Sequence, residues 1–233
     1  MNKNSSFTYH LKEDHQQGET RCGLYLITPP YIELRKFNEQ LKQAIDGGTI
    51  ECFQLRLKNS SDDAILGATE TLMPLLQQYE IPFLINDRPD LALKTNANGV
   101  HIGQTDASYE EARSLLGDDA IVGVTCHNSR HLAMLAGEKG ANYVAFGSFF
   151  NSKTKKRKFT ADINLIRWWR DVTVVQSVAI GGITPNNCKA IISAGADFLA
   201  VSGGVWDHPD GPKAAVSSFH AVIASSPLED PII

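Results

Sequence analysis

A chain of 233 residues, 42% hydrophobic and 21% charged, has the make-up of a soluble globular protein large enough to bury a real core. Its net charge of −4 argues against a protein that binds nucleic acid through a broadly basic surface. No apolar stretch approaches the roughly 18 residues that a membrane-spanning helix takes.

In chain order, residues 1–20 (MNKNSSFTYHLKEDHQQGET) are polar and lack the apolar core of a secretory signal, so they are expected to form a flexible arm on a cytoplasmic protein. From Gly23 onward, short apolar runs alternate with amphipathic stretches. The runs are GLYLIT, IECFQLRL, PFLIN, NGVHIG, AIVGVT, YVAFGS, VQSVAIGG and FLAVSG. They are too continuously apolar for half-exposed strands and suit strands buried on both faces. Helical periodicity fills the intervals, as from Asp62 to Tyr79 and from Ser129 to Lys139. A weak repeat runs through DGGTIECFQLR, NANGVHIGQ, EKGANYVAFGS and SAGADFLAVSG, each with a glycine expected to cap the preceding helix. Eight such units predict a single (β/α)8 barrel over residues 21–226, with 227–233 as a C-terminal tail; a doubly wound open sheet is the alternative. Cys22, Cys52, Cys126 and Cys188 form no CxxC pair and are expected as buried free thiols.

A parallel barrel carries its chemistry on the loops that follow the strands, so the strand ends hold the candidates. In the second strand, alternation puts Gln54, Arg56 and Lys58 on one face, opposite Phe53, Leu55 and Leu57. Two cations facing into or over a barrel need anionic partners, which suggests a diphosphate. Asn86 and Asp87 end the third strand, and Asp106 follows the fourth. Either aspartate alone reads as a helix N-cap. As a pair on adjacent loops they suit Mg2+, which takes few protein ligands and fills its remaining positions with water and phosphate oxygens. Five of the eight residues from Asn151 to Lys158 are Lys or Arg, and the open readings are a nucleic-acid tract, a solvated loop or the rim of an anion pocket. The seventh strand runs into Gly181-Gly182-Ile183-Thr184, where Thr184 is expected to cap the next helix and Pro185 to open it. The eighth ends in Val201-Ser202-Gly203-Gly204. Glycine turns in these two places suit a phosphate. His127 and His131 stand four apart, as zinc ligands on one helix do, but a third ligand is lacking nearby; Trp168 and Trp169 read as the core and flank of an outer helix.

From Gly23 to about Ala224, these strand-end motifs resemble thiamine-phosphate synthase, in that family's order. The resemblance implies a (β/α)8 enzyme that joins 4-amino-5-hydroxymethyl-2-methylpyrimidine diphosphate to a thiazole phosphate, carboxylated or not, with Mg2+. It implies that Gln54 to Lys58, including Leu55 and Leu57, line the pyrimidine diphosphate together with Asn86, that Thr125 lies near the pyrimidine, and that Asp87 and Asp106 hold the metal. Ser152, Lys153 and Thr154 would cover the thiazole phosphate, Lys155 would bind the diphosphate, and Gly182, Val201 and Ser202 would complete the thiazole phosphate site. Arg56, Lys58, Thr125 and Lys155 are the implied catalytic residues. The basic stretch then reads as a substrate-covering loop. The family's usual Pro-Thr-x-Thr-Lys stands here as Asn151-Ser152-Lys153-Thr154-Lys155, which keeps a hydroxyl and loses the rigid proline. Leu57 stands where an acid is common, Pro29 where an aspartate is, and Gly203-Gly204 replace bulkier residues. A thiazole tautomerase and a non-catalytic phosphate-binding paralogue are the alternatives. The implied partners are small molecules, with neither nucleic acid nor membrane; a homo-oligomer is compatible with this reading.

Overall fold

A computed structural model describes residues 22–151 and 159–229. Eight parallel strands close a barrel in chain order: β1 (Gly23–Ile27), β2 (Cys52–Leu55), β3 (Phe83–Asn86), β4 (Gly99–Ile102), β5 (Ile121–His127), β6 (Tyr143–Gly147), β7 (Gln176–Ile180) and β8 (Phe198–Val201). The helices are α1 (Leu34–Ile45), α2 (Asp62–Gln78), α3 (Pro89–Thr95), α4 (Tyr109–Leu116), α5 (Arg130–Glu138), α6 (Ile163–Val172), α7 (Lys189–Ser193), α8 (Gly203–Trp206) and α9 (Gly211–Ala224). β1 pairs with both β2 and β8, which excludes the open sheet.

The continuous apolar runs have the reason expected of them. Leu24, Leu26, Phe53, Phe83, Val100, Val144 and Leu199 point outward into the layer beneath the helices. Tyr25, Ile27, Cys52, Leu84, Tyr143, Val178 and Phe198 point inward and fill the barrel. All four cysteines are buried free thiols. α2 and α5 fall within a residue of the periodicity, and Ser61, Ser129 and the Ser108–Glu111 capping box satisfy exposed N–H groups at the starts of α2, α5 and α4. Each cap side chain is short enough to fold back on its own helix.

Two local expectations fail for physical reasons. In NANG it is Asn96, at φ 54°, that takes the left-handed position after α3; Gly99 lies inside β4, where an added Cβ would sit 1.9 Å from the Ile121 carbonyl oxygen. Thr184 does not cap α7. The Asn187 side chain accepts the Thr184 N–H and donates to the Gly182 carbonyl, making a separate turn, and the helix starts only at Lys189. The segment expected as a tail stays tied to the barrel as far as Glu229, whose N–H donates to the Ser193 carbonyl and whose carboxylate meets Arg167 at 2.6 Å.

Candidate active site

The C-terminal ends of β2, β3 and β4 bring together a cluster of opposite charges. Lys58 Nζ lies 2.5 Å from Asp87 Oδ2. Asp87 and Asp106 are near enough for each to shift the other's titration, and Asp106 Oδ2 accepts the Gly103 N–H at 3.0 Å. Neither aspartate caps a helix. Arg88 occupies the N-cap of α3 and Ser108 that of α4, so both carboxylates are left to the mouth of the barrel. Asp87 sits just beyond β3 at φ 64°, a conformation that non-glycine residues rarely hold, with its side chain on Lys58.

The two carboxyls titrate apart. Burial raises Asp87, but the hydrogen bond from Lys58 and the interaction with Asp106 outweigh it and hold Asp87 below the ordinary carboxylate value. Burial raises Asp106, and the neighbouring Asp87, with its negative charge, raises it further. Two carboxylates this close, Asp87 half-buried and Asp106 exposed, form a place where a further cation is favoured. Arg56 stands half-buried beside them; burial lowers its guanidinium from the usual value and the Asp87 charge opposes that. Its backbone N–H donates to Thr28 Oγ1 at 2.8 Å.

Inside the barrel, six polar side chains form one continuous run. Gln54 Nε2 donates to Asn86 Oδ1 at 2.6 Å, and Gln54 Oε1 accepts from the Tyr25 hydroxyl at 3.1 Å. The Tyr25 and Tyr143 hydroxyls lie 2.8 Å apart, Tyr143 lies 2.9 Å from His101 Nδ1, and His101 Nε2 lies 2.7 Å from Thr125 Oγ1. Glycine makes room for it: a Cβ at Gly123 would stand 1.9 Å from the Tyr143 ring. The His101 and Tyr143 rings stack at 5.6 Å. Burial pushes His101 down to about 4, with the Asp87 charge opposing, so the imidazole is neutral at physiological pH. β5 carries a register shift between Thr125 and His127. Alternation along β5, with Val122, Val124 and Cys126 packed outward, leaves Thr125 facing inward.

The opposite side of the mouth is built on backbone. Gly182, at φ 66°, has its Cβ position filled by the Asn151 carbonyl oxygen at 2.2 Å. The Phe149 and Phe150 N–H groups donate to the Ile180 and Gly181 carbonyls, so the β6 loop lies directly on the β7 turn. Ser202 Oγ donates to the Thr28 carbonyl at 3.3 Å, and the Ser202 carbonyl accepts from Val205 and Trp206.

The sequence-predicted residues therefore divide. Gln54, Arg56, Lys58, Asn86, Asp87, Asp106 and Thr125 converge on β2 to β5, and Gly182 and Ser202 lie across from them. Leu55, Leu57 and Val201 turn their side chains into the layer beneath the helices, leaving only their main chain toward the mouth. Ser152, Lys153, Thr154 and Lys155, with the rest of the basic run to Lys158, lie outside the described residues. His127 ends β5, stacked on Phe159 at 4.3 Å, whereas His131 is exposed on α5, so their spacing is not that of one helix face. Trp169 is buried and donates to the Val175 carbonyl, and Trp168 flanks it beneath Arg130. Sequence reasoning missed Tyr25, Thr28, His101 and Tyr143. For Tyr25, His101 and Tyr143 the available signal was parity: each stands on the inward face of its strand, where a buried polar group must find a partner.

The thiamine monophosphate synthase family model matches residues 24–205 of the chain. The chain is 56% identical over 204 residues to the thiamine-phosphate synthase of Rhodospirillum centenum, covering 88% of this chain and 99% of that protein. It is 43% identical to that of Hyphomonas neptunium, covering 91% and 98%. The solved structure of thiamine phosphate pyrophosphorylase from Pyrococcus furiosus superposes with a TM-score of 0.77 at 28% identity, over 89% of this chain and 98% of that one. A (S)-3-O-geranylgeranylglyceryl phosphate synthase from Thermoplasma acidophilum, at 14% identity and a TM-score of 0.65, covering 88% of this chain and 94% of that one, shares the fold alone.

Proposed function

The chain belongs to the thiamine monophosphate synthase family, a family of transferases, and we propose that it joins 4-amino-5-hydroxymethyl-2-methylpyrimidine diphosphate to a thiazole phosphate, giving thiamine phosphate and diphosphate. The observation that carries this reading is the Lys58–Asp87–Asp106 cluster, with Arg56 beside it, at the mouth of the barrel. A tautomerase has no diphosphate to hold and no use for that concentration of opposite charge.

In this chemistry the carbon–oxygen bond to diphosphate breaks, and the thiazole nitrogen attacks the resonance-stabilised pyrimidinylmethyl cation that remains. Negative charge gathers on the leaving diphosphate. Arg56 and Lys58 face that charge, and fixed cations in a site shielded from water stabilise it far more than cations in bulk solvent. The resemblance adds Lys155 to them, with Ser152, Lys153 and Thr154 over the thiazole phosphate. Asp87 and Asp106 would hold a magnesium ion, whose chemistry is to neutralise diphosphate oxygens. The donor set fits that ion: two adjacent carboxylates, with open positions left for water and phosphate oxygens. Gln54, Asn86 and Thr125 border the pyrimidine, while Gly182 and Ser202 border the thiazole phosphate. Bond formation by the thiazole nitrogen needs no general base, so the two carboxylates at the mouth are left to hold the metal. The two readings of the family separate by product: with both substrates supplied, the synthase releases diphosphate and a tautomerase releases none.

A further inference from the structure

The run of six polar side chains across the barrel has a direction, which follows from the orientation of the Gln54 amide. Gln54 donates from Nε2 to Asn86, so its Oε1 is left to accept, and the Tyr25 hydroxyl must be the donor. A phenol has one proton. With Tyr25 committed to Gln54, the 2.8 Å contact between the two phenols requires Tyr143 to donate to Tyr25. Tyr143 then has no proton for His101, so His101 Nδ1 must carry the hydrogen. Its Nε2 is left as a lone pair, and Thr125 must donate to it across 2.7 Å. Reversing any one bond alone would set two acceptors or two protons against each other inside a dry barrel, where an unmatched polar pair is costly; the opposite direction requires both amides and every hydroxyl to turn over together.

The middle of the run, Gln54, Tyr25, Tyr143 and His101, is buried; only its two ends, Asn86 and Thr125, are partly exposed. Direction is therefore what reaches the mouth of the barrel. We propose that Tyr25 and Tyr143 are positioning residues that hold His101 as the Nδ1–H tautomer, so that Thr125 offers a bound ligand only an acceptor while Asn86 offers its amide N–H. A heteroaromatic ligand lying across the mouth then turns a donor to Thr125 and an acceptor to Asn86. An aminopyrimidine carries both, as an exocyclic amino group and a ring nitrogen. This specificity rests on the function proposed above; the direction of the network does not.

The test uses the full chain and begins without substrate. Nitrogen–proton correlation of the imidazoles, with His101 assigned by its disappearance in His101→Asn, reads the tautomer directly. The expected result is Nδ1–H in the parent. Tyr143→Phe removes one hydroxyl while keeping the stacked ring, and should shift His101 toward the Nε2–H form. The second readout is the kcat/KM ratio for the 4-amino pyrimidine diphosphate over the analogue in which a keto oxygen replaces the amino group. That ratio should exceed about 10²-fold in the parent, since a site built to pair a donor rejects its replacement strongly, and should fall about tenfold or more in Tyr143→Phe. An Nε2–H tautomer in the parent overturns the proposal, as does an unchanged tautomer with unchanged discrimination in a folded Tyr143→Phe. If that variant does not fold, the parent tautomer decides alone. A parent with the Nδ1–H tautomer but no product from either pyrimidine overturns the function and leaves the network standing.

Discussion

Lys58 reaches from the end of β2 to place its Nζ 2.5 Å from Oδ2 of Asp87, beyond the end of β3. The contact leaves the second aspartate, Asp106, held above its ordinary value by burial and by the neighbouring negative charge. Two carboxylates side by side leave a place for a divalent ion, while Arg56 and Lys58 remain to meet a diphosphate.

Replacing Asp87 or Asp106 with asparagine should therefore cost at least about 10²-fold in turnover, since a neutral amide substitutes poorly for a carboxylate on Mg2+. Stability should change little in Asp87→Asn, because the Lys58 side chain is 42% exposed and water can take over its solvation. Steady-state rates at ordinary Mg2+, with thermal melts as the control, check both statements. Full activity in either folded variant removes the metal assignment.

Gly182→Val makes a sharper test than a missing side chain would. Its Cβ would meet the Asn151 carbonyl oxygen at 2.2 Å, in a left-handed conformation that valine resists. The β6 loop must move off the β7 turn. The melting temperature should fall, and KM for the thiazole phosphate should rise about tenfold or more while that for the pyrimidine diphosphate changes less. Equal losses for both substrates would place the thiazole phosphate elsewhere.

Glu51, at the opposite end of the barrel from the site, gives a pH signature of folding. Its carboxylate accepts the Leu24 N–H at 2.6 Å, and burial lifts it to about 7 against an ordinary 4.5. The folded state binds this proton more tightly than the unfolded chain, so the contribution is present below about pH 4.5 and is lost as pH rises through 7. His101, depressed from 6.5 to about 4, has the opposite slope, losing stability as pH falls from 6.5 toward 4, and partly masks it. Glu51→Gln keeps a carbonyl acceptor and removes the titration. Denaturant unfolding of parent and variant between pH 5 and 8 should show the variant gaining on the parent with rising pH, by on the order of 2 kcal/mol. A constant difference across that range would mean that Glu51 is not raised.

The barrel was legible because burial on both faces leaves a mark that few other arrangements leave: eight short apolar runs, each followed by polar residues. Asp87, Asp106 and the Gln54–Arg56–Lys58 alternation stood out as polar groups closing apolar runs, although each aspartate alone could have been a helix cap. Tyr25 and Tyr143 were not. A tyrosine in an apolar strand reads as one more core residue, and only the closed barrel shows that its hydroxyl meets groups from distant strands. Thr184 misled because a threonine before a proline reads as a helix cap, whereas the Asn187 side chain closes a separate turn on the Thr184 N–H and the helix starts only at Lys189. Leu55, Leu57 and Val201 were included as parts of motifs, and a motif does not say which way each side chain turns.

The most direct test of the central claim is the balance of products from the purified chain, supplied with the pyrimidine diphosphate and the thiazole phosphate, with and without Mg2+. The predicted result is one thiamine phosphate for each diphosphate released, no release when either substrate is withheld, loss of both products on chelation, and recovery when Mg2+ is restored. No thiamine phosphate from the folded protein with both substrates and Mg2+ present would contradict the account.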